Sequence, residues 1–435
     1  MTRKIESLIN MNNVITVYTL SKLYNLQTIA KRSSNYLESC ITRLTNDKSF
    51  SNLDYKNVAK LLASSDLHVT CELEVFYFAN KWLTFNFDER EKHAKKLLSK
   101  IRLDLMSEEQ LMSILKDFSS FTKVKECVSI LKKVLNNKKS LKNSPSYNQR
   151  CCDHGNFNLI LCGGLNIESG RLVNSVNQFN GSTFKHMKAL TYLNLARRNA
   201  EAICIEDKIY IFSGMNSKFE TIYTVDRYSA STNRWNFVTN MYDYREDYCV
   251  SAYIDQVLII GGGSDNNPAS SCLIFDTKNN KWRPAARINM GRFCPASTLF
   301  EGNIVVSGGW NRNWEALNSV ESYDVSKDRW FPMAAMNRPK IGHKQVVVYN
   351  KLFVIGVEKD NCEVFDNISR SFVALKTENM NLASITGAIS IGNILYVFQN
   401  ETNTVFCYDV ENCEWKTKTF KHDISYFTCV KIPWF

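Results

Sequence analysis

With 435 residues the chain is longer than one hydrophobic core usually serves, so we expect two folded units, or one unit joined to a repeat array. The hydrophobic share of 44% is enough for buried cores, and no apolar run reaches the ~18–20 residues of a membrane span, which argues against an integral membrane protein. The N-terminus lacks the apolar stretch of a signal peptide, so we expect a cytoplasmic protein without membrane contact.

The net charge of +11 is unevenly distributed. Residues 1–150 carry 25 Lys and Arg against 15 Asp and Glu, whereas the remainder carries 29 against 28. The basic excess is spread through segments such as KHAKKLLSK, where solvated helix faces explain it better than nucleic-acid binding does. We therefore expect two regions with different surfaces and no nucleic-acid partner.

The first third of the chain has the apolar spacing of amphipathic helices. Apolar residues recur at intervals of three and four from Val14 to about Leu135, as in Val75, Phe78 and Trp82. No glycine or proline interrupts residues 1–144. This pattern predicts an all-helical domain over residues 1–136, followed by a polar linker over residues 137–155.

The fourteen cysteines favour buried free thiols over disulfides, because they are scattered along a chain without a secretory signal. Their densest cluster is Cys151, Cys152, Asp153 and His154. Its cysteines are adjacent rather than two apart, and no second ligand pair follows, so we assign it to the linker and expect neither a metal nor a cofactor.

The last two thirds of the chain repeat one short pattern. Five copies carry two aromatic residues seven positions apart; they read VDRYSASTNRW, CLIFDTKNNKW, VESYDVSKDRW, CEVFDNISRSF and VFCYDVENCEW. A shorter copy, SVNQFNGSTF, precedes them. The terminal aromatics of successive copies lie 51, 47, 48, 42 and 43 residues apart, a period typical of propeller blades.

Each copy follows an alternating apolar strand that ends in glycine, as in LILCGG or IVVSGG, except the sixth, ILYVFQ. A further short strand precedes each of these except the first, which gives four strands per unit. The chain ends on an unpaired strand, ISYFTCVKI, which would complete the first unit beside FNLILCGG. We therefore predict a six-bladed β-propeller over residues 156–435, closed by the C-terminal strand.

The repeated residues have structural explanations. Glycines let backbones approach near the axis, and large aromatics such as Trp330 fill the wider space between neighbouring sheets. The aspartates of the copies are expected to accept turn hydrogen bonds rather than to act in catalysis; they are Asp276, Asp324, Asp366 and Asp409.

The glycine doublet, the Tyr/Phe-Asp pair and the tryptophan resemble kelch repeats over residues 155–435, most specifically in blades two to four. The segments VAKLLASSDLHVTCELEVFYFANKWL and KLLSKIRLDLMSEEQL resemble the BACK domain of kelch-like proteins, including Asp66-Leu67, Glu74-Val75, Trp82 and Arg102-Leu103. The resemblance implies a multidomain α plus all-β protein, with a helical BACK domain and a kelch propeller. In that family a BTB domain comes first, and this sequence starts where it would end, as a truncated or shortened form would.

The resemblance also implies a function. Kelch-like proteins are typically non-enzymatic substrate adaptors of cullin-RING ubiquitin ligases, in which the BTB domain and first BACK helices hold the cullin scaffold and the propeller captures a protein. The first BACK helices correspond here to about Val14–Leu44. The alternative from the same resemblance is an actin-binding or cytoskeletal scaffold, to which the basic first third would contribute electrostatic attraction.

An enzyme is the third class considered, since some kelch propellers carry copper oxidases. The chain has only six histidines, and no two of them lie close enough in sequence to form a local ligand pair. The segment IIGGGSDNNP opens no helix and does not match a phosphate-binding loop. We therefore expect no enzymatic activity.

Binding residues usually lie in loops on a rigid scaffold. In a four-stranded meander the loop after the second strand and the loop leaving the fourth emerge on the same face. We call this the loop face. Its predicted segments are 165–174, 215–221, 263–270 and 310–317 after second strands, and 240–247, 287–294 and 336–343 after fourth strands.

Six residues of the loop face are candidate contacts for a protein partner. Trp310, Arg312 and Trp314 lie within five residues, and exposed Trp and Arg dominate binding hot spots. Arg245, Arg292 and Arg338 recur after the tryptophans of their blades, and the kelch resemblance implies that they read acidic peptide segments. The alternatives are a structural arginine that braces adjacent blades and a tryptophan packed under its loop.

Overall fold

The computed structural model describes residues 13–44, 48–64, 67, 69, 72–106, 108–116, 119–140, 157–181, 183–205, 208–230, 232–264, 267–348, 351–358, 361–367, 369–377, 382, 384–391, 393–400, 402, 404–410 and 412–433. Contacts divide the chain into two compact units, Met1–Gly155 and Asn156–Phe435. The cluster Cys151 to His154 lies outside the described residues.

The first unit is helical throughout its described residues. Four short 3-10 turns lie between or beside its helices. The α-helices are α1 (Val14–Leu23), α2 (Gln27–Leu44), α3 (Tyr55–Ala63), α4 (Glu72–Phe85), α5 (Phe87–Arg90), α6 (Ala94–Leu98), α7 (Glu108–Lys116) and α8 (Lys125–Ser140).

One apolar core holds these helices together, and Trp82 of α4 lies inside it. The indole nitrogen of Trp82 donates to the Leu53 carbonyl at 2.8 Å, while the Arg90 guanidinium lies over the ring at 4.1 Å. Arg90 also donates to the carbonyls of Trp82 and Ser51, each at 2.7 Å. These bonds satisfy buried backbone groups at the end of α4 and in the preceding turn.

The predicted linker begins too early, since α8 continues to Ser140 and makes its first four residues helical. The lysines and asparagines of this stretch are compatible with helix, because neither glycine nor proline occurs before Pro145. Residues 141–155 lie outside the described residues.

The second unit is a six-bladed propeller, as predicted. In its described residues each blade is an antiparallel four-stranded sheet, and the third blade has the small addition β11 (Asn267–Pro268). From the axis outward, blade one contains β27 (Thr428–Pro433), β1 (Phe157–Cys162), β3 (Val176–Asn180) and β4 (His186–Ala189), and blade two contains β5 (Glu201–Ile205), β6 (Lys208–Phe212), β7 (Thr224–Ser229) and β8 (Arg234–Asn240). In the same order, blade three contains β9 (Glu246–Tyr253), β10 (Gln256–Ser264), β12 (Cys272–Asp276) and β13 (Lys281–Ala285), and blade four contains β14 (Ala296–Phe300), β15 (Asn303–Ser307), β16 (Val320–Asp324) and β17 (Arg329–Pro332). Blade five contains β18 (Lys344–Val348), β19 (Lys351–Ile355), β20 (Cys362–Asp366) and β21 (Ser371–Leu375), and blade six contains β22 (Ile385–Ile391), β23 (Ile394–Gln399), β24 (Thr404–Asp409) and β25 (Glu414–Thr419).

The chain closes the ring with its own C-terminal strand. β27 pairs with β1 in an antiparallel register that runs from Phe157 opposite Pro433 to Cys162 opposite Thr428. A second short pair, β2 (Leu165–Asn166) with β26 (Ile424–Ser425), extends the closure. The prediction that ISYFTCVKI completes the first blade is therefore confirmed, and the inner edge of that blade is not left unpaired.

The blades are packed by apolar clusters, one between each pair of neighbouring sheets. The repeated aromatics fill these spaces as predicted. The indole nitrogen of Trp330 donates to the Ala286 carbonyl of the preceding blade at 2.9 Å, and that of Trp235 donates to Thr191 at 3.0 Å. Each tryptophan therefore both fills space and joins two blades by a hydrogen bond.

The aspartates of the copies accept turn hydrogen bonds, which confirms their predicted role. Asp276 accepts from the backbone N–H of Lys278 at 2.9 Å, and Asp324 accepts from that of Ser326 at 3.0 Å. Asp366 and Asp409 accept from backbone groups of their own turns. These side chains fix the hairpin between the third and fourth strands.

Candidate functional site

Paired backbone groups hold the segments of the loop face together. Phe293 and Trp310 exchange two backbone hydrogen bonds, at 2.9 and 2.8 Å, which ties segment 287–294 to segment 310–317. Arg198 and Met215 do the same at 3.1 and 2.9 Å. The second pair shows that segment 190–200, which the sequence prediction omitted, also belongs to the loop face.

A buried cation precedes the first strand in each of blades two to five. We call these residues the bracing cations: Arg197, Arg245, Arg292 and Lys340. The first three donate from Nη1 to a carbonyl at the end of the second strand, at 3.0 to 3.1 Å. Because the donor and acceptor belong to the same blade, each of these arginines locks the loop entering a blade to that blade's second strand.

Three bracing cations also bind an acid on the third strand of the same blade. Arg197 lies 2.6 Å from Asp226, and Arg292 lies 2.8 Å from Glu321. Burial lowers the pKa of the Arg292 guanidinium, and the Glu321 carboxylate opposes that shift. A pair of this kind is costly to break, because the remaining charge would be buried without a counter-charge.

Two candidate partner contacts are corrected by this arrangement. Arg245 and Arg292 have exposed fractions of 2% and 0%, and their guanidinium groups bond to carbonyls and side chains of their own blades. Neither can touch a protein docked on the loop face. Their contacts are those of the structural alternative, although each arginine braces one blade rather than two.

Arg338 differs from those two arginines because its side chain is exposed. Its backbone N–H donates to Glu363 at 3.2 Å, whereas the bracing position of this blade belongs to Lys340, whose ammonium binds the same carboxylate. The sequence analysis selected Arg338 because it is the arginine of segment 336–343, but the buried cation of this blade lies two residues later. Arg338 stays a predicted partner contact.

The loop 310–317 presents Trp314 to solvent with 55% of its surface exposed. Its ring stacks on Phe293 with centroids 5.7 Å apart and planes 8° apart. Arg312 is exposed beside it, while Trp310 is half-buried under the loop. The loop therefore contains both an outward tryptophan and a packed one, and Trp310, Arg312 and Trp314 stay predicted contacts.

A side-chain amide fixes the shape of this loop. Asn311 Oδ1 accepts from the backbone N–H groups of Asn313 and Glu315 at 2.9 and 3.0 Å, and its Nδ2 donates to the Glu315 carboxylate at 2.7 Å. Trp314 is thereby held at a φ of 58°. A left-handed conformation is unfavourable for a bulky side chain, so the bonds of Asn311 stabilise it.

The second blade repeats this loop with Phe219 in place of the tryptophan. Asn216 makes the same three bonds to Lys218 and Glu220, at 2.8 to 3.0 Å. Phe219 has a φ of 62° and is 69% exposed, with the Arg198 guanidinium 4.5 Å from its ring centre. The sequence prediction missed Phe219, although the shared spacing of Asn, aromatic and Glu in NSKFE and NRNWE marks both loops.

A third exposed aromatic lies between these two loops in blade order. Tyr244 is 72% exposed and meets Tyr223 edge to face at 4.5 Å. We call Phe219, Tyr244 and Trp314 the aromatic rim. Each member of the rim rests on a guanidinium or another ring, so its position is fixed before any partner arrives, which lowers the entropy cost of binding.

The axial cavity opens where the first strands begin and has a volume of about 300 Å³. A residue with φ between 48° and 59° lies near the start of each first strand. Only one of these six left-handed residues is a glycine, so the sequence alone does not mark their positions. They are Asn199, Asp247, Cys294, Gly342, Ser384 and Tyr426.

Negative charge exceeds positive charge in the lining of the axial cavity. Glu201, Glu246 and Asp247 line it, against one ammonium, that of Lys344. Burial raises the pKa of all three carboxyl groups, and in Glu201 the smaller effect of Lys344 opposes this. The lining therefore holds more carboxyl groups than cations.

His343 adds a buried polar group to the same lining. It is 2% exposed, its Nε2 lies 2.8 Å from Ser307 Oγ, and its Nδ1 has no hydrogen-bond partner. Burial, together with the charges of Lys340 and Lys344, lowers its pKa to about 3. The imidazole is therefore neutral at physiological pH.

Two kinds of feature are absent from the described residues. No cluster of three or more His, Cys, Asp or Glu side chains with the arrangement of a metal site occurs there. Within the same residues, no helix has both the length and the hydrophobicity that crossing a bilayer requires.

Comparisons with known proteins agree with both units. Residues 14–116 match the family model described as BTB And C-terminal Kelch, and residues 148–357 match the model described as KLHDC2/KLHL20/DRC7 Kelch-repeats domain. Kelch-like protein 26 of Danio rerio is 20% identical, over 95% of this chain and 71% of its own length.

Two further relatives have the kelch repeat in their names. Kelch repeat and BTB domain-containing protein 1 of Cowpox virus (strain Brighton Red) is 22% identical, over 84% of this chain and 74% of its own length. Kelch repeat and BTB domain-containing protein 12 of Homo sapiens is 20% identical, over 79% of this chain and 59% of its own length.

A rigid six-bladed ring with exposed aromatic loop residues defines a protein-binding propeller, here preceded by a helical domain. The helical domain is a BACK domain and the propeller is built of kelch repeats. The chain is therefore similar to kelch-like proteins in both of its domain types.

Proposed function

We propose that this protein is a non-enzymatic substrate adaptor of a cullin-RING ubiquitin ligase and that it captures its target on the loop face. The observation that carries the proposal is the aromatic rim. These three aromatic side chains are 55–72% exposed on a rigid scaffold. Exposed aromatic side chains in fixed positions supply large contact area at low entropy cost.

The helical unit supplies a second surface for the adaptor role. Leu20, Leu23, Tyr24 and Leu26, at the junction of α1 and α2, are 46–73% exposed. Apolar side chains grouped in this way mark interaction surfaces more often than isolated ones do. In kelch-like proteins this region faces the cullin scaffold, so we assign the cullin contact to these four residues. Such an adaptor would act in the cytoplasm.

The capture step is tested with the full chain as bait. We compare proteins retained by the wild type, by Phe219→Ala/Trp314→Ala, and by Phe237→Ala, whose ring is 57% exposed on β8 outside the loop face. The proposal expects a set of proteins retained by the wild type and by Phe237→Ala but lost from the double variant. Equal retention by all three proteins would show that the aromatic rim does not capture the target.

The ligase step needs its own readout. Purified cullin is tested for binding to the full chain and to Leu23→Asp, with Phe85→Asp as a control that is 49% exposed at the end of α4. We expect binding that only Leu23→Asp weakens. If the wild type binds no cullin but sediments with actin filaments at physiological salt, the cytoskeletal alternative replaces the ligase proposal; the basic charge of residues 1–150 is what favours that alternative.

A further inference from the structure

The charge of the axial cavity is the opposite of what the kelch resemblance implied for the loop face. That resemblance implied that Arg245, Arg292 and Arg338 read an acidic segment. The structure instead turns Arg197, Arg245 and Arg292 into the blades, where carbonyls and acids occupy their guanidinium groups. They supply no charge to an incoming chain.

The carboxylates, in contrast, lie at the opening. Glu246 and Asp247 are adjacent at the start of β9, and both line the axial cavity, with Glu201 at the start of β5. The Glu246 carboxylate accepts a hydrogen bond from the Thr221 hydroxyl, which holds it at the wall. Asp247 is exposed, and its backbone carbonyl accepts from Cys294 at 2.7 Å, which fixes the rim of the cavity.

The counter-charges around this opening are few. Lys344 is the one ammonium in the described lining, and it begins β18, three blades from Glu201. Arg198, Arg312 and Arg338 also lie on the loop face, but none of them is in the lining of the cavity, and the Arg198 guanidinium rests on Phe219. The hydrogen-bond partner of the Glu246 carboxylate at the mouth is therefore a neutral hydroxyl, that of Thr221.

We propose that the axial cavity receives a basic side chain, arginine or lysine, of the protein that the loop face captures. Glu246 and Asp247 bind the cationic head at the mouth, and the aromatic rim contacts the residues that flank it. The inference rests on the proposed function, because it names the chemistry of the captured segment. A cavity of about 300 Å³ lies at the small end of ligand sites and suits one long side chain rather than a folded element.

Charge and shape can be separated with citrulline, which has nearly the shape of arginine but no charge. Nonapeptide libraries with a fixed central arginine, lysine, citrulline or glutamate are incubated with the full chain. The inference expects arginine or lysine libraries to be retained about ten-fold better than the citrulline library, which is the size of one charge-assisted contact. Preference for glutamate, or equal retention of arginine and citrulline, would overturn it.

The site is tested with isosteric variants. In Glu246→Gln/Asp247→Asn the preference for the basic libraries is expected to fall to about two-fold or less. Asparagine tolerates the φ of 54° at position 247, and glutamine still accepts from Thr221, so folding is preserved. Glu414→Gln removes one charge from an exposed residue on the outermost strand β25 and should keep the full preference.

Failure of the inference is distinguishable from failure of the proposed function. If the wild type retains target proteins through the aromatic rim but shows no charge preference among peptides, the adaptor role stands and the inference falls. If the wild type retains neither proteins nor peptides, both fall. If free arginine amide binds at the cavity as tightly as the arginine peptides, the site takes a small cation, and the assignment to a captured protein is wrong.

Discussion

The Lys340 ammonium binds the Glu363 carboxylate inside the fifth blade, and both side chains are at most 3% exposed. Arginine holds the corresponding place in blades two to four. The acid lies 29 residues after the arginine in blades two and four but 23 residues after Lys340 in blade five. The shorter blade therefore keeps the pair while changing the cation and the spacing.

The Lys340–Glu363 pair is expected to contribute more to the free energy of unfolding than a surface ion pair does. Lys340→Met leaves Glu363 buried without its cation and should lower the free energy of unfolding by about 3–5 kcal/mol. Chemical denaturation of the full chain measures the change. Lys327→Met is the matched control, because its pair with Asp324 is 67% exposed on the lysine side and should cost at most about 1 kcal/mol.

A second variant tests the cause of that loss. In Lys340→Met/Glu363→Gln the buried charge is gone, while the one amide oxygen can still accept from one of the two backbone N–H groups, of Asn337 and Arg338, that bind the two carboxylate oxygens. Part of the stability should return, since the cost arises mainly from the unpaired carboxylate. Equal stability of the single and double variants would mean that packing of the lysine stem, not charge, explains the loss.

A buried charge should destabilise the propeller most where the ring closes. Val430 of β27 lies opposite Ile160 of β1 and is 7% exposed. Val430→Asp should lower the free energy of unfolding by at least about 3 kcal/mol, because the carboxylate would be buried in an apolar cluster. Thermal unfolding of the full chain reports the loss.

The control for ring closure makes the same substitution on an outer strand. Val373 of β21 is 48% exposed, so Val373→Asp leaves the new carboxylate in water and should change stability by less than about 1 kcal/mol. Similar melting temperatures for the Val430 and Val373 variants would be incompatible with closure through β27.

The ring was predictable from sequence because its signals repeat. Aromatic pairs seven apart and glycine-ended strands recur with a nearly constant period, and the missing first strand of one unit matches the extra strand at the end of the chain. The pairing of β27 with β1 then follows from the need to leave no open edge. Glycine was not essential to the pattern, since Asn400 takes its place in the sixth blade and accepts from Tyr426 N–H at 2.7 Å.

The direction of side chains was not predictable in the same way. Arg245, Arg292 and Arg338 look equivalent in sequence, yet the first two are buried and the third is exposed. What separates them is position, because Arg338 lies two residues before Lys340, whose ammonium binds the acid on the third strand of that blade. The sequence does contain one sign of the buried ion pairs, because the second residue of three repeat copies is acidic, as in VDRYS, VESYD and CEVFD.

Asn311 is expected to control the aromatic rim without controlling global stability. Asn311→Ala removes the acceptor for two backbone amides of its loop, so the amides of Asn313 and Glu315 should exchange with solvent about ten-fold faster. Hydrogen exchange read by mass spectrometry or NMR measures this, and the melting temperature should stay within about 2 °C of the wild type.

Asn279 provides the comparison for this loop variant. Its side chain accepts from Lys281 N–H at 2.9 Å in a turn between the third and fourth strands, at the opposite end of the blade. Asn279→Ala should leave exchange at residues 313 and 315 unchanged. If Asn311→Ala also leaves it unchanged, the bonds of Asn311 do not maintain the position of Trp314.

His343 should make the propeller less stable as the solution becomes acidic. In the folded chain its pKa is lowered to about 3 by burial, and Lys340, Lys344 and Arg292 add to the effect. In the unfolded chain it titrates near its ordinary value of about 6.5. Above that pH neither state binds the proton. As the pH falls below it, the unfolded chain binds a proton that the folded chain does not, and stability is lost.

The expected size of this loss is about 2 kcal/mol at pH 5, since each pH unit between the two pKa values contributes about 1.4 kcal/mol. His343→Gln cannot bind that proton, and its amide can still reach Ser307. Its free energy of unfolding should therefore fall by about 2 kcal/mol less than that of the wild type between pH 7 and pH 5.

Protonation of other groups in the axial cavity has the opposite effect on stability, so the pH dependence of the free energy of unfolding must be compared between variants. The raised pKa values of Glu201, Glu246 and Asp247 favour the folded state as the pH falls, but they are present in both proteins and cancel in the difference. His186→Gln, on the exposed strand β4, serves as the histidine control and should follow the wild type. If His343→Gln loses as much stability as the wild type between pH 7 and pH 5, the buried imidazole does not carry the pH dependence.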